Sequence, residues 1–307
     1  MKDHSTASQS GRTAGHIFVG IDGGGSGCRV AIRDGTGRDL GAGLGGPSNV
    51  TSDPEGALSN IRAAVLRAFD AAGLPRDAVA QTSLHAGLAG AIDTRIAGRV
   101  GDALTATEGF ARCTVSDDRE IQALGALGGA DGYILAIGTG TIAARVSGGQ
   151  VRGVGGWGFQ VSDQGSAADL GRAALSRTLM ALDGIHAPSP LTEDLSRSSG
   201  GATGIAVFAA RARPADFAAL APTVVAAAAD GDPHAVAILT AGAAHLDAAL
   251  TALGLSAGDR LCLTGGLGPV YRDWLAAARI AQLSDPVASA LEGALRRAGA
   301  PAAMSPT

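Results

Sequence analysis

Three glycine-rich segments, each following an apolar run, are the part of this chain whose residue types and spacing could do chemistry. The first, residues 22–27 (DGGGSG), lies between two apolar runs. Its glycines would allow positive φ and a close approach of backbone N–H groups to an anion, and Ser26 adds a hydroxyl donor. Similar segments recur at 137–141 (IGTGT) and 264–268 (TGGLG). The recurrence predicts turns that bind the phosphates of one nucleotide, although each turn taken alone could equally be an unliganded tight turn.

Carboxylates follow two of the predicted strands. Phosphoryl transfer needs cradled phosphates, a divalent metal and a carboxylate that orients or deprotonates the acceptor hydroxyl. Asp22 is of the type that suits Mg²⁺, and Asp117 and Asp118 end the apolar run CTVS directly before a predicted helix. One of these two could cap the helix while the other faces substrate. We expect Asp117, which is nearer the strand, to be the catalytic group and Asp118 to be the cap.

A glycine-dense segment at 153–166 (GVGGWGFQVSDQGS) is the candidate for sugar binding. Its glycines would let the backbone approach a polyhydroxylated ligand, and Asp163 could accept hydrogen bonds from two hydroxyls. Asp163 could instead be a helix N-cap. Trp157 could be a core or hinge residue, and Asn49 of GPSN could be a turn residue.

The elements that must position these residues follow an alternating pattern. Strand, glycine turn and second strand occur near residue 17 and again near residue 133, which predicts a duplicated hairpin module in an α/β fold. The glycine content of 153–166 argues for a loop there rather than a strand. Helices are predicted at 54–72, 93–105, 119–127 and 166–182, over most of 192–254, and at 286–297 as a closing element.

Length and composition favour a small-molecule enzyme with two domains. The chain has 307 residues, 46% of them apolar, and 47 glycines. A net charge of −4 without a basic segment argues against a nucleic-acid partner. Three isolated cysteines exclude a disulfide framework and a zinc or iron–sulfur site within the chain. The longest apolar stretch recognised, near 223–229, is too short for a membrane span, so we expect a cytoplasmic protein with no membrane partner.

The ordered motifs GIDGGGSGCR, GPSN, VSDD, IGTGT, VGGWGFQVSDQGS and LTGGLG resemble those of the glucosamine and N-acetylglucosamine kinases among the BadF/BadG/BcrA/BcrD ATPases. That resemblance spans residues 17–299 and implies two ribonuclease H-like (actin-like ATPase) lobes with an interdomain nucleotide and sugar cleft. The domains expected are a flexible tail at 1–15, an N-terminal lobe at 16–117, and a C-terminal lobe at 118–307 that includes the closing helix.

The resemblance also implies roles for individual residues, with ATP and Mg²⁺ as the cofactors. Asp22 would organise Mg²⁺, and Asp117 would be the base that activates the sugar 6-hydroxyl. The residues implied in nucleotide binding are Gly23, Gly24, Gly25, Ser26, Gly27, Gly138, Thr139, Gly140, Thr141, Gly265 and Gly266. Those implied at the sugar site are Asn49, Gly156, Trp157, Asp163 and Gln164.

The implied reaction is phosphorylation of the 6-hydroxyl of glucosamine, giving glucosamine 6-phosphate and ADP. The sequence SDQGS, with Gln164 where relatives often carry Glu, is closer to the glucosamine kinases. The alternatives are an N-acetylglucosamine kinase of the same fold and an ATPase that activates a partner enzyme. The expected partner is a small-molecule amino sugar, and the Ala-rich helices of the second half could offer a homodimer face.

Overall fold

A computed structural model describes residues 15–299, so the predicted tail at 1–15 lies outside the described residues apart from Gly15. The chain divides into two compact units. Within the described residues, the first unit contains 15–129 and 287–299, and the second contains 130–286. Each unit is built on its own β-sheet and its own apolar core.

The first unit begins with three strands, β1 (Ile17–Gly23), β2 (Cys28–Asp34) and β3 (Asp39–Gly45). Helix α1 (Pro54–Ala71), a 3₁₀ turn, β4 (Thr82–Leu88), α2 (Thr94–Glu108), β5 (Arg112–Asp117) and α3 (Asp118–Leu127) follow. The sheet order is β3-β2-β1-β4-β5. Strands β1 and β2 form an antiparallel hairpin, whereas β1, β4 and β5 are parallel, so their carboxyl ends share one edge.

Helix α1 shows how the sequence sets this architecture. Its start is fixed by Asp53, whose side chain accepts a hydrogen bond of 3.0 Å from the Gly56 N–H. Its buried stripe includes Ile61, Val65 and Phe69. The helix backbone lies so close to β3 that a Cβ on Gly43 would be 2.1 Å from the Ala64 carbonyl oxygen. A residue without a side chain is therefore required at position 43.

The second unit repeats the hairpin arrangement. Strands β6 (Gly132–Ile137), β7 (Thr141–Ser147) and β8 (Gln150–Gly155) are antiparallel neighbours, and β9 (Leu261–Thr264) lies parallel to β6. The sheet order β8-β7-β6-β9 matches the β3-β2-β1-β4 part of the first sheet. The predicted duplication is thereby confirmed, but the prediction that 153–166 contains no strand is wrong, because β8 extends to Gly155.

The remaining elements of the second unit are helices. They are α4 (Ala167–Leu182), α5 (Pro190–Ser199), α6 (Gly201–Ala209), α7 (Pro214–Ala218), α8 (Ala221–Ala229), α9 (Pro233–Leu253), α10 (Gly268–Tyr271) and α11 (Ala277–Ile280). Helix α9 has 21 residues, and its most apolar 18-residue stretch has a mean hydropathy of 1.6, so by length and composition it could cross a membrane, although the sequence predicted no stretch long enough to do so. Ile238, Leu246 and Leu250 of α9 are buried in the core of this unit, which is typical of a core helix.

The chain returns to the first unit as α12 (Ala290–Ala298). A Cβ on Gly20 of β1 would lie 2.8 Å from the Leu295 backbone nitrogen, and one on Gly125 of α3 would lie 2.0 Å from the Ser289 carbonyl oxygen. Arg33, only 3% exposed, pairs with Glu292 of α12 at 2.8 Å. These contacts place the closing helix in the first unit and the division near residue 129, whereas the sequence predicted a division after Asp117 and a closing helix in the second lobe.

Candidate functional site

The first glycine turn joins β1 to β2, with Gly23 opposite Cys28 in the hairpin register. Within the described residues 23–27 no glycine has a positive φ, so this turn does not use the left-handed backbone that its glycines would allow. Gly23 is required by close packing instead, because a Cβ there would lie 2.5 Å from Leu88 and 2.7 Å from the Ser48 hydroxyl. A Cβ on Gly25 would meet no atom within 4 Å, and Ser26 is exposed. The tip of the turn is thus open to a ligand.

The loop that carries Asn49 braces this turn. The Ser48 N–H donates to the Gly24 carbonyl at 2.9 Å, and the Ala89 N–H donates to the Gly23 carbonyl at 2.8 Å. The Asn49 side-chain oxygen accepts hydrogen bonds of 3.0 Å from the N–H groups of Thr51 and Ser52. Asn49 is therefore a turn residue, and its carboxamide nitrogen is the donor that could meet a sugar hydroxyl.

Asp22 lies near the end of β1, opposite Arg29 of β2, and the two side chains form an ion pair. The Asp22 side chain is 13% exposed. A carboxylate at a sheet edge, beside an open turn, fits Mg²⁺, which is usually held by one or two carboxylates and the phosphates of a nucleotide. Among residues 15–299 no group of three or more His, Cys, Asp or Glu side chains forms an all-protein metal cage.

The two carboxylates at the end of β5 have different surroundings. Asp117 is the N-cap of α3: its Oδ1 accepts from the Arg119 N–H at 2.9 Å, and its carboxylate also accepts from the Arg119 guanidinium at 2.6 and 2.7 Å. Asp118 is the first residue of the helix. The prediction that Asp118 caps the helix is therefore wrong, since Asp117 does so.

The Asp118 carboxyl is instead buried close to two other carboxylates, those of Asp117 and Asp22. Burial, the charge of Asp117, a hydrogen bond with Asp117 and the charge of Asp22 together raise the pKa of Asp118 from 3.8 to about 8, against a smaller opposite effect of Arg119. A perturbed carboxyl at the shared edge of the parallel strands is the usual signature of a functional group. The sequence contained a signal for Asp118, because two adjacent acids follow the same strand and either of them could be the functional group.

The end of β5 is held by His85 of β4. Its ring nitrogens lie 2.8 Å from the Thr114 hydroxyl and 3.1 Å from the Ser116 hydroxyl. The Ser116 hydroxyl also donates to the Asp117 carbonyl at 2.9 Å. Burial lowers the pKa of His85 to about 3, so this histidine is neutral and serves to fix the strand that carries the two acids.

The second glycine turn, in the second unit, joins β6 to β7 and is anchored on a helix. The N–H groups of Ala167 and Ala168, in the first turn of α4, donate to the carbonyls of Gly138 and Thr139. Of the two predicted hydroxyl donors, Thr139 is exposed, whereas Thr141 is 7% exposed with a buried hydroxyl that has no hydrogen-bond partner among the described residues. Only the Thr139 hydroxyl is placed to meet a phosphate.

The third glycine segment lies beside the second. Gly265 has a φ of +80°, and a Cβ there would be 2.4 Å from the Ile137 carbonyl oxygen, directly before the second turn. That carbonyl accepts a hydrogen bond of 3.0 Å from the Leu267 N–H. A Cβ on Gly266 would meet nothing within 4 Å. Two of the three predicted nucleotide segments thus meet at one edge of the second sheet.

The predicted sugar residues of the second unit follow β8. Gly156 has a φ of +70° and lies against Ile142, and Trp157 is 64% exposed, so the alternative of a core tryptophan is wrong. Gln164 is half-buried. Asp163 is buried and is not the N-cap of α4, since Ser166 has that role. A cap role for Asp163 at this helix is therefore excluded.

The chain is similar to known proteins over most of its length. The family model described as the BadF/BadG/BcrA/BcrD ATPase family matches residues 19–294. A glucosamine kinase (GspK) of Vibrio cholerae is 33% identical over 288 residues, which is 93% of this chain and 97% of that protein.

Solved structures agree as well. A Chromobacterium violaceum protein provisionally assigned as an N-acetylglucosamine kinase is 34% identical with a TM-score of 0.84, covering 92% of this chain and 99% of that one. A ROK family glucokinase of Streptomyces griseus, solved with glucose and AMPPNP, has a TM-score of 0.57 at 22% identity, covering 92% and 98% of the two chains. At that identity the glucokinase supports the fold alone.

Proposed function

Because the chain belongs to the BadF/BadG/BcrA/BcrD ATPase family, we propose that it is an amino-sugar kinase that transfers the γ-phosphoryl group of ATP to the 6-hydroxyl of glucosamine. The observation that carries the proposal is at the carboxyl edge of β1, β4 and β5. An open glycine turn lies there beside Asp22, and the charge of Asp22 helps to raise the pKa of Asp118, directly after β5. Its 33% identity to a glucosamine kinase over almost its whole length supports the choice of substrate.

In this proposal the three glycine segments bind the nucleotide. The tip of the first turn, from Gly24 to Gly27, offers backbone donors and the Ser26 hydroxyl to the phosphates. In the second unit Gly138 to Gly140 offer the same with Thr139, and Gly265 and Gly266 approach the adenosine. Asp22 would hold Mg²⁺, which supplies charge neutralisation on the phosphates when bound.

We assign the base to Asp118 rather than to Asp117. The Asp117 carboxylate already accepts three hydrogen bonds from Arg119. In its ionised form, whose share grows as the pH approaches 8, Asp118 would accept the proton of the sugar 6-hydroxyl as that oxygen bonds to the γ-phosphorus and the bond to the departing ADP oxygen breaks. A carboxylate whose pKa is raised by burial and by neighbouring acids holds such a proton better than an exposed one.

The remaining sugar contacts are proposed from Asn49 in the first unit and from Gly156, Trp157, Asp163 and Gln164 in the second. The exposed indole of Trp157, which lies between glycines of positive φ, is suited to pack on a sugar ring. Gln164 is the residue through which we propose that the amine is distinguished from an acetamido group.

The same fold acting on N-acetylglucosamine is the second candidate, favoured by the Chromobacterium relative at 34% identity. An activator ATPase is disfavoured, because Cys28 and Cys262 are buried and Cys113 is half-buried. None of them is an exposed ligand for a bridging cluster.

The test is release of ADP from ATP and Mg²⁺, measured with glucosamine, N-acetylglucosamine, glucose and no sugar. We expect kcat/KM to be highest for glucosamine and the product to carry phosphate on O6 by NMR. The 6-deoxy analogue should not be phosphorylated. A higher kcat/KM for N-acetylglucosamine would select the second candidate, and ADP release that ignores every sugar would overturn the kinase assignment.

A further inference from the structure

Asp163 has an unusual backbone and an unusual position. Its φ of +66° makes it the one non-glycine residue with positive φ among residues 15–299. Such a conformation is uncommon for a residue with a side chain and persists where the surroundings impose it. The side chain is buried, with 9% of the residue exposed. A strained, buried carboxylate in a loop indicates that its position is needed for something other than folding of the loop.

The contacts of this carboxylate are with backbone from two other segments. A Cβ on Gly140, in the second glycine turn, would lie 2.9 Å from the Asp163 Oδ2. The N–H groups of Thr141 and Gly158 face the carboxylate and stabilise its charge, although burial has the larger effect and raises its pKa. Gly140 and Thr141 belong to the predicted phosphate turn, and Gly158 ends the glycine segment after β8.

We propose that Asp163 is a positioning residue for the second phosphate turn, clamping Gly140 and Thr141 to the 155–158 segment. The inference rests on the proposed function and goes beyond a sugar ligand role for this residue. The turn is short, with a single internal hydrogen bond of 2.9 Å from the Gly138 N–H to the Gly140 carbonyl. The α4 amides hold the carbonyls of its first half, and Asp163 holds the second half.

The consequence is that nucleotide binding depends on Asp163 even when no sugar is present. In Asp163→Asn one of the two facing N–H groups meets an amide nitrogen in place of an acceptor. We expect ADP to bind roughly ten- to hundredfold more weakly to this variant without sugar, the range for leaving a buried donor unpaired. Asp163→Gly, which relieves the positive φ and so favours folding, should bind ADP equally weakly.

The matched control is Asp169→Asn. Asp169 is a half-buried acid of the same charge nearby, whose Oδ2 accepts from the Gly165 N–H at 2.9 Å, a contact that asparagine can keep. Calorimetry of ADP with Mg²⁺ and no sugar should give this variant a Kd within about threefold of the wild type. Amide hydrogen exchange of 138–141 should be faster in both Asp163 variants and unchanged in the control.

Wild-type ADP affinity in Asp163→Asn, with only KM for the sugar raised, would overturn the clamp and leave a sugar ligand. A lower binding stoichiometry at unchanged Kd would also overturn it. That result would mean that part of the variant is misfolded, while the folded part binds ADP as tightly as the wild type. If the wild type binds no nucleotide, the proposed function fails. Hydrogen exchange then still decides the clamp, because unchanged exchange at 138–141 in both Asp163 variants contradicts it without reference to the reaction.

Discussion

The two glycine hairpins have the same strand topology but different supports. In the first unit the turn after β1 lies at an edge where strands end in carboxylates, Asp22 on β1 and Asp117 on β5. In the second unit β6 ends in Ile137, and the turn is held by the first amides of α4 and by Asp163 from a loop. One copy of the module thus places acids at its strand ends, and the other places backbone carbonyls against the first N–H groups of a helix.

This difference suggests a division of labour within a duplicated fold. The acids that we propose to hold a metal or take a proton belong to the first unit, whereas the second unit mainly positions the proposed phosphate turn and the glycine segment beside it. The predictions below test that division, from the largest expected effect to the smallest.

Replacement of Asp118 should have the largest effect. We expect Asp118→Asn to lower kcat by roughly 10²- to 10⁴-fold, the range for removal of a positioned base, with little change in ADP affinity. Asp117→Asn is the matched control and should lower kcat by less than about tenfold, because Asp117 caps α3 and pairs with Arg119. Steady-state kinetics of both variants decides between them, and the reverse order of effects would restore Asp117 as the base.

The closing helix should be essential to the first unit through its buried ion pair. Glu292→Gln weakens the partner of Arg33, a guanidinium with 3% side-chain exposure, and should lower the free energy of unfolding by roughly 2–3 kcal/mol. Asp39 pairs with the same guanidinium but is 62% exposed, so Asp39→Asn should cost under about 1 kcal/mol. Urea unfolding compares the two variants, and equal losses would show that burial does not distinguish the pairs.

The free energy of unfolding should fall as the pH rises, because the folded first unit disfavours the ionised form of Asp118. Its pKa is 3.8 in the reference state and about 8 when folded, so between these values the folded protein keeps a proton that the unfolded chain has lost. Raising the pH through that window therefore lowers the free energy of unfolding. Asp118→Asn removes this loss, so its thermal midpoint should exceed that of the wild type at pH 8 by a few degrees, for an effect on the order of 1 kcal/mol.

At pH 4 the same two proteins should unfold at nearly the same temperature, since this pH lies at the lower end of the window, where little of the stability loss has accumulated. The measurement is a pair of thermal melts at each pH. A midpoint difference that does not grow with pH would mean that Asp118 titrates normally, and the electrostatic contrast between the units would then be lost.

Much of the fold was predictable from the sequence because it depends on local patterns. The apolar stripe of α1, its Asp53 cap and the glycine turns after apolar runs are each visible within about twenty residues. Strand β8 was missed because Gly153 and Gly155 have low strand propensity, and the strand exists through pairing with β7, as in Ala144 opposite Gly153.

The site was predicted less completely, for two physical reasons. Asp117 and Asp118 are identical in type, so their roles depend on which one precedes the first helical residue, a boundary that a sequence does not resolve. The return of α12 to the first unit is a contact between residues more than 160 positions apart, such as Gly125 and Ser289. The clamp by Asp163 likewise depends on a backbone conformation that no pattern of side chains indicates.

The smallest effect on stability should come from adding a methyl group at the tip of each turn. Gly25 and Gly138 both have open space at the Cβ position and neither has a positive φ, so alanine should change the free energy of unfolding by less than about 0.5 kcal/mol. Each methyl nevertheless points to where a phosphate would approach, and KM for ATP should rise severalfold in Gly25→Ala and in Gly138→Ala. If Gly25→Ala raises KM and Gly138→Ala does not, the hairpin turn of the second unit is not part of the nucleotide site.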